Sequence, residues 1–284
     1  MKYLLILLTI TSSLLAREVI HSSVSTYYEN KTFKNSTQKL DGEVYGVGTD
    51  IHVDAWAIKA TYEYAHTNTK QPPLKKDLEV QKLFSKVMYS FDDNLALNIN
   101  YINILHDNIA ITNHGESYGV GLTYNFNKKL ETNFTQYFTD YKDFNVYQSD
   151  LKIDYKMKFN GLKMKISSIT KYIDIYEKYK NKYTKFAKDD YLTTALKLHM
   201  HYNSYHMGLG AYIGKRAFAI MDDGFKIQHH AMEFDRTYAV GVGKSMGNFV
   251  LRGQYIYQRA IEMPVQNNQH VRVDNFRIIA NYKF

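Results

Sequence analysis

Between Tyr147 and Met157 the chain changes character at almost every step. Tyr147, Leu151, Ile153, Tyr155 and Met157 share one parity, while Gln148, Asp150, Lys152, Asp154 and Lys156 share the other. Side chains alternate between the two sides of a strand, so a strand through these residues has one apolar face and one charged face. Moving it by one residue would turn every charge to the apolar side, which fixes the register tightly. Leu162, Met164 and Ile166 stand against Lys163, Lys165 and Ser167 in the same way. Trp56, Ile58, Ala60, Tyr62 and Tyr64 form a third apolar face, and Tyr118, Val120, Leu122, Tyr124 and Phe126 a fourth.

This alternation recurs at steady spacing along the chain. Strands are expected over 19–29, 40–51, 55–66, 79–91, 95–106, 115–126, 130–141, 146–157, 162–173, 190–200, 205–216, 232–244, 248–260 and 270–284, fourteen in all. The gaps between them alternate short and long, the rhythm of a spanning barrel. Short ones such as Asp92-Asp93-Asn94, Lys158 to Gly161 and Ser245-Met246-Gly247 are rich in residues that tolerate tight-turn backbone angles. The intervening connections are mostly longer and more polar, and Pro72-Pro73 falls in one of them. Asn103, Gln136 and Arg236 land on the apolar face under these registers. For Arg236 the choices are snorkelling to the rim, a bulge or a shifted boundary, and counts of 12 or 16 strands stay open.

The amino terminus reads as a secretory signal peptide: Lys2, a short apolar run, small polar residues and Ala16. Cleavage after Ala16 would leave 17–284 as one domain. The chain has no cysteine, which excludes a disulfide framework and thiolate metal sites. Beyond the signal no apolar stretch approaches the roughly 18 residues of a spanning helix. A closed barrel is the other structure whose backbone groups are all paired inside a bilayer. With 26 Tyr, 15 Phe, three Pro and a mean hydropathy of -0.43, the composition suits a wall that is apolar at only half its positions. The formal net charge of +8 in an exported chain points to lipopolysaccharide phosphates or anionic solutes rather than to nucleic acid.

The last nine residues repeat the alternation, with Phe276, Ile278, Ala280, Tyr282 and Phe284 on one face and Arg277, Ile279, Asn281 and Lys283 on the other. An aromatic-ended final strand of this kind resembles that of bacterial outer-membrane β-barrels, a resemblance carried by Tyr282 and Phe284. It implies an all-β, single transmembrane antiparallel up-and-down barrel in the outer membrane of a Gram-negative bacterium. It also implies long loops facing outwards, closure of the last strand on the first near 19–28, and Tyr282 and Phe284 as the mark read by the outer-membrane assembly machinery. Lipid and lipopolysaccharide would surround the barrel, which would be a monomer or a homotrimer.

Parity assigns thirteen basic side chains to the interior: Lys59, Lys82, Lys86, Lys152, Lys156, Lys163, Lys165, Lys171, Lys197, Arg216, Arg252, Arg277 and Lys283. Against them stand six acids, Glu63, Glu131, Asp150, Asp154, Glu233 and Asp235. Charge cannot be buried dry without pairing, so the lumen is either water-filled or laced with ion pairs. Fourteen strands would leave a narrow pore, and its positive surplus would concentrate anions. The expected function is therefore a porin-like channel for passive diffusion of small polar or anionic solutes, and not an enzyme. The rivals are a non-conducting structural or surface-interaction barrel and, further off, a barrel-embedded hydrolase.

Several further features have a plain structural reading beside a functional one. Glycine pairs at 46 and 48, 119 and 121, 208 and 210, and 241 and 243 would widen the lumen, admit an inserted loop or relieve curvature. Aromatic residues at 172, 176, 179, 183 and 186 are spaced as on a helix that could fold inwards, although a solvated hairpin or basic loop is the preferred reading. His199, His201 and His206 have a spacing that could hold a metal, but without a carboxylate they read as polar wall, so no metal and no cofactor is expected. Asp222-Asp223 and His229-His230 fall in one connection assigned to the outside; they faintly resemble the rim Asp and His residues of the outer-membrane aspartyl proteases, a ten-stranded family whose spacing they do not reproduce.

Overall fold

The computed structural model describes residues 21–108, 111–177, 189–263 and 270–284. Residues 1–16, read above as a signal peptide, lie outside them. Fourteen antiparallel strands close into one up-and-down barrel. They are β1 (His21–Lys34), β2 (Lys39–Val53), β3 (Trp56–Thr69), β4 (Leu78–Ser90), β5 (Leu95–Asp107), β6 (Glu116–Asn125), β7 (Leu130–Asp140), β8 (Phe144–Phe159), β9 (Leu162–Glu177), β10 (Asp190–Tyr202), β11 (Tyr205–Arg216), β14 (Met232–Met246), β15 (Phe249–Glu262) and β16 (Val271–Lys283). The two remaining strands, β12 (Ile220–Met221) and β13 (Lys226–Ile227), pair only with each other. Closure runs along β1 and β16 from Ser23 opposite Lys283 to Lys34 opposite Arg272.

The expected strand positions and the count of fourteen hold. Between β8 and β9 the turn is Asn160-Gly161, with φ of 45° and 81°, the left-handed pair that a two-residue hairpin demands. Neighbours in register face the same way, so parity propagates around the wall. Trp56 and Tyr89 face outwards together, as do Tyr118 and Phe138. The outer face carries two aromatic belts. One, at the short-turn end, includes Trp56 on Tyr89, Tyr124 beside Phe126, and Tyr282 beside Phe284. The other includes Tyr28 with Tyr45, Tyr101 with Tyr118, and Tyr238 with Tyr257. Along β6, Tyr118 and Phe126 are about eight residues apart, or about 20 Å along the axis at a tilt of about 40°. An apolar band bounded by such belts is what a barrel needs to sit in a bilayer.

The polar residues on that face are handled locally. Gln136 accepts a hydrogen bond from Ser149 Oγ at 2.6 Å. Asn103 Nδ2 donates to Tyr101 Oη at 2.8 Å and to Glu116 Oε1 at 3.1 Å. Arg236 follows a bulge, where the β14 and β15 register shifts between Phe234 and Arg236.

The interior departs from the expected polar lumen in its long-loop half. There Val44, Val80, Phe84, Ile102, Ile104, Val146, Ile169, Ile173 and Ile175 point inwards and are buried. They enclose the connection between β11 and β14, which was expected outside the barrel and instead folds into it. The segment long enough to have been considered for that role, 172–186, continues β9 to Glu177; its remainder lies outside the described residues.

Candidate functional site

The inserted connection, residues 217–231, is a plug. Ala217, Phe218, Ala219, Ile220 and Met221 are all buried, a five-residue apolar run with no place in a solvated loop. Phe218 packs on Phe144 with ring centroids 4.7 Å apart and on Tyr141 at 5.9 Å. β12 and β13 then form a small hairpin, with Asp222–Gly224 as its tip. Gly224 has φ 97°, which favours glycine, and a Cβ there would stand 2.7 Å from Asn100 Oδ1 on the β5 wall, so the Asn100 amide would have to move. At the root of the plug, the His229 ring bonds Asp107 through Nδ1 at 2.9 Å, and Asp107 also accepts from Thr112 Oγ1 at 2.6 Å.

The tip carries two carboxylates to the basic wall. Asp222 reaches Lys197 Nζ at 3.0 Å, and Asp223 reaches Lys152 Nζ at 2.8 Å. Lys197 holds the Asp222 carboxyl well below the usual carboxylate range. Burial opposes ionisation of Asp223, but Lys152, and after it Lys86, outweigh that and bring it down to about 2. Both are therefore charged at neutral pH. Burial lowers the pKa of His229, with Lys82 adding to the effect, and burial followed by His229 pushes His230 well below its ordinary value.

Below the plug a cavity of about 880 Å³ extends towards the short-turn end. Its lining holds ten lysine and arginine side chains but a single carboxylate, that of Asp222 on the plug. Gly208 and Gly210 widen it, since a Cβ at either would meet nothing closer than 3.6 Å. Two of the other paired glycines serve a different purpose: Gly46 and Gly119 are seats for the rings of Tyr27 and Tyr137, which lie where a Cβ would be.

The basic residues anticipated in the lumen divide into three groups. Lys163, Lys165, Lys156, Lys197, Arg252 and Arg277 line the cavity. Lys156 is paired with Glu131 at 2.7 Å and Lys165 with Asp154 at 3.5 Å, while Arg277 binds the buried Glu29. Lys59, on Asp50 at 2.8 Å, faces inwards beside Lys86, and Lys82 is buried against Glu63. Lys152 joins Asp154 at 3.4 Å to the plug, and Asp150 is taken by Lys171. Arg252 and Lys163 make no ion pair among the described residues. Tyr282 and Phe284 are exposed on the outer face, and the Phe284 amide donates to Ser22 O at 3.0 Å. His201 and His206 meet through their Nδ1 atoms at 3.0 Å, with His206 Nε2 on Ser245 Oγ at 2.7 Å. Among the described residues no group of three or more possible ligands gathers as a metal site would require.

Sequence reasoning missed the plug and its contacts, Gln148 and Asp107 among them. The signal that could have found it was the apolar run 217–221 inside a connection otherwise rich in polar residues.

No protein-family profile and no curated protein matches the chain. Solved structures do match in fold. The CymD monoaromatic hydrocarbon channel aligns with a TM-score of 0.58 and 9% identity, over 94% of this chain and 89% of its own. A bacterial polysaccharide outer membrane secretin aligns at 0.54 with 11% identity, over 92% and 98%. The Ralstonia pickettii toluene transporter TbuX aligns at 0.53 with 10% identity, over 93% and 88%. At such identities the likeness is one of fold, and it extends over nearly the whole barrel.

Proposed function

We propose that the chain is an outer-membrane channel of a Gram-negative bacterium, admitting small polar and anionic solutes into a basic vestibule whose far end the plug controls. The observation that carries this reading is the cavity lining, where ten cationic side chains stand against one carboxylate; Lys156, Lys165, Lys197 and Arg277 are held by acids, and the surplus rests on the others, Arg252 and Lys163 among them. Cations crowded into a cleft with low-dielectric walls raise the local concentration of anions. The apolar outer band and its two aromatic belts support a bilayer setting, with lipid and lipopolysaccharide outside and Tyr282 and Phe284 presented at the short-turn end for assembly. Fold neighbours that include hydrocarbon channels and a polysaccharide secretin are compatible with transport without naming a solute.

The test is conductance in planar bilayers under a KCl gradient, using the full chain and a variant lacking residues 219–228. Anion-preferring channels, larger in the deletion variant, are expected. Clear cation preference would sink the reading, as would silence from both proteins when each is folded. The filled long-loop half favours one rival, a barrel that never conducts, and the deletion variant separates the two.

A further inference from the structure

Most wall cations in this lumen are neutralised by the wall itself. Lys59 takes Asp50, Lys82 takes Glu63, Lys156 takes Glu131 and Lys171 takes Asp150. At the closed end of the vestibule the arrangement differs: Lys197 is neutralised by Asp222, and Lys152 has Asp223 closer than its wall partner Asp154, at 2.8 Å against 3.4 Å. Both aspartates ride on the inserted hairpin, and their side chains remain 46% and 49% exposed to the lumen.

The backbone that presents them is unusual. Asp222 and Asp223 are consecutive residues with left-handed φ of 51° and 56°, and Phe218 earlier in the plug has φ 53°. Aspartate enters this region more readily than most non-glycine residues, whereas a phenylalanine there is an outlier, and clusters of such residues mark functional positions. At the tip, the two residues with these angles are the ones that reach Lys197 and Lys152.

We infer that Asp222 and Asp223 are a tethered occupant of an anion site, and that Lys197 and Lys152 form the seat of a small soluble dicarboxylate that displaces the hairpin tip. Two cations reached by one pair of adjacent side chains favour a ligand with two carboxylates on a short linker, because its second contact is intramolecular. The tether gives the aspartates an effective concentration in the millimolar range or above, so the free ligand has to outcompete them. Displacement frees the tip from its wall contacts, and the ligand becomes the signal that loosens the plug.

The binding arm of the test is independent of transport; only the conductance arm rests on the channel reading. Succinate is titrated calorimetrically into the folded full chain in detergent, with acetate and succinamide as controls. The double variant Asp222→Asn, Asp223→Asn removes both charges but keeps residues that tolerate left-handed backbone, and folding is checked by heat-modifiable gel mobility. Succinate is expected to bind this variant at least about tenfold more tightly than the parent. Adding Lys152→Met and Lys197→Met should abolish binding, and both controls should bind far more weakly. Equal affinity in parent and variant, no binding to either, or binding that survives the lysine changes overturns the inference. In bilayers, succinate is expected to raise the conductance of the parent, and the Asn variant should be open without it. If the binding contrast holds and no protein conducts, the channel reading fails and the site stands. If both conduct and the contrast is absent, the site fails and the channel stands.

Discussion

Gln148 holds Ile220 by two opposed hydrogen bonds: Nε2 donates to the Ile220 carbonyl and Oε1 accepts its amide, both at 2.8 Å. The side chain of β8 thus imitates a neighbouring strand for one residue of the plug. Gln148→Met keeps the volume but leaves a buried peptide group without partners, a loss of about 1–3 kcal/mol. Exchange of the Ile220 amide, followed by mass spectrometry of the folded barrel, should quicken by about tenfold or more, while exchange along β16 stays unchanged. If Ile220 exchanges at the same rate, the clasp does not anchor the plug.

Gly224 is a second place where one atom decides. Its φ of 97° opposes any side chain, and a Cβ would also have to push aside the Asn100 amide, whose Oδ1 lies 2.7 Å away. Gly224→Ala should loosen the hairpin tip by about 1–3 kcal/mol, seen as protease cleavage within residues 217–231 that the parent resists. Gly208→Ala, in open space at ordinary contact distance, is the control and should change nothing measurable.

The two histidines at the root make docking of the plug depend on pH. Both have lowered pKa values in the folded barrel, so their neutral forms are favoured there. A released plug would return them towards about 6.5. The released state then binds more protons at acid pH, so docking is at full strength above about 6.5 and weakens as pH falls through the lowered values. Asp107 opposes the trend for His229, while Lys82 and Lys31 favour it for both rings and Lys39 for His230. Each histidine can shift the balance by up to about tenfold per pH unit. Conductance measured from pH 7.5 to 5 should rise in the parent and stay flatter in His230→Gln. Flat profiles in both, with a plug that still opens on deletion, would remove the histidines from the account.

Much of the wall was legible because its constraint is local. A lysine on the lipid side costs about 2–4 kcal/mol near the midplane, so alternation of the kind seen from Tyr147 to Met157 is enforced residue by residue. The lumen lacks that constraint. Its long-loop half is apolar at Phe84, Ile102 and Ile173, the same residue types that face lipid on the other parity, and two apolar faces look like a weaker alternation rather than a filled barrel. The plug was illegible for a related reason. Asp222-Asp223 and His229-His230 read as polar loop, and their partners Lys197, Lys152 and Asp107 are distant in sequence. Asn103 and Gln136 looked misplaced only because their hydrogen-bonding partners sit on the same outer face.

Selectivity and stability should separate among the vestibule cations. Arg252 and Lys163 line the cavity without an ion pair among the described residues, so neutralising them strands no carboxylate. Arg277 lines the same cavity, but it holds Glu29, which is fully buried. Removing one partner of a buried pair costs up to about 3–5 kcal/mol when the other charge is left uncompensated; here Glu29 would keep only Lys31, at 3.5 Å, so the cost lies towards or below the lower end. Arg252→Gln with Lys163→Gln should therefore lower the anion-to-cation permeability ratio, read from the reversal potential in a KCl gradient, by about two- to tenfold. Its resistance to unfolding by urea should stay that of the parent. Arg277→Gln should instead lower the urea midpoint, and adding Glu29→Gln should restore much of it. If the first variant keeps full anion preference, the basic lining does not set selectivity; if Glu29→Gln restores nothing, the loss at Arg277 comes from packing rather than from a stranded carboxylate.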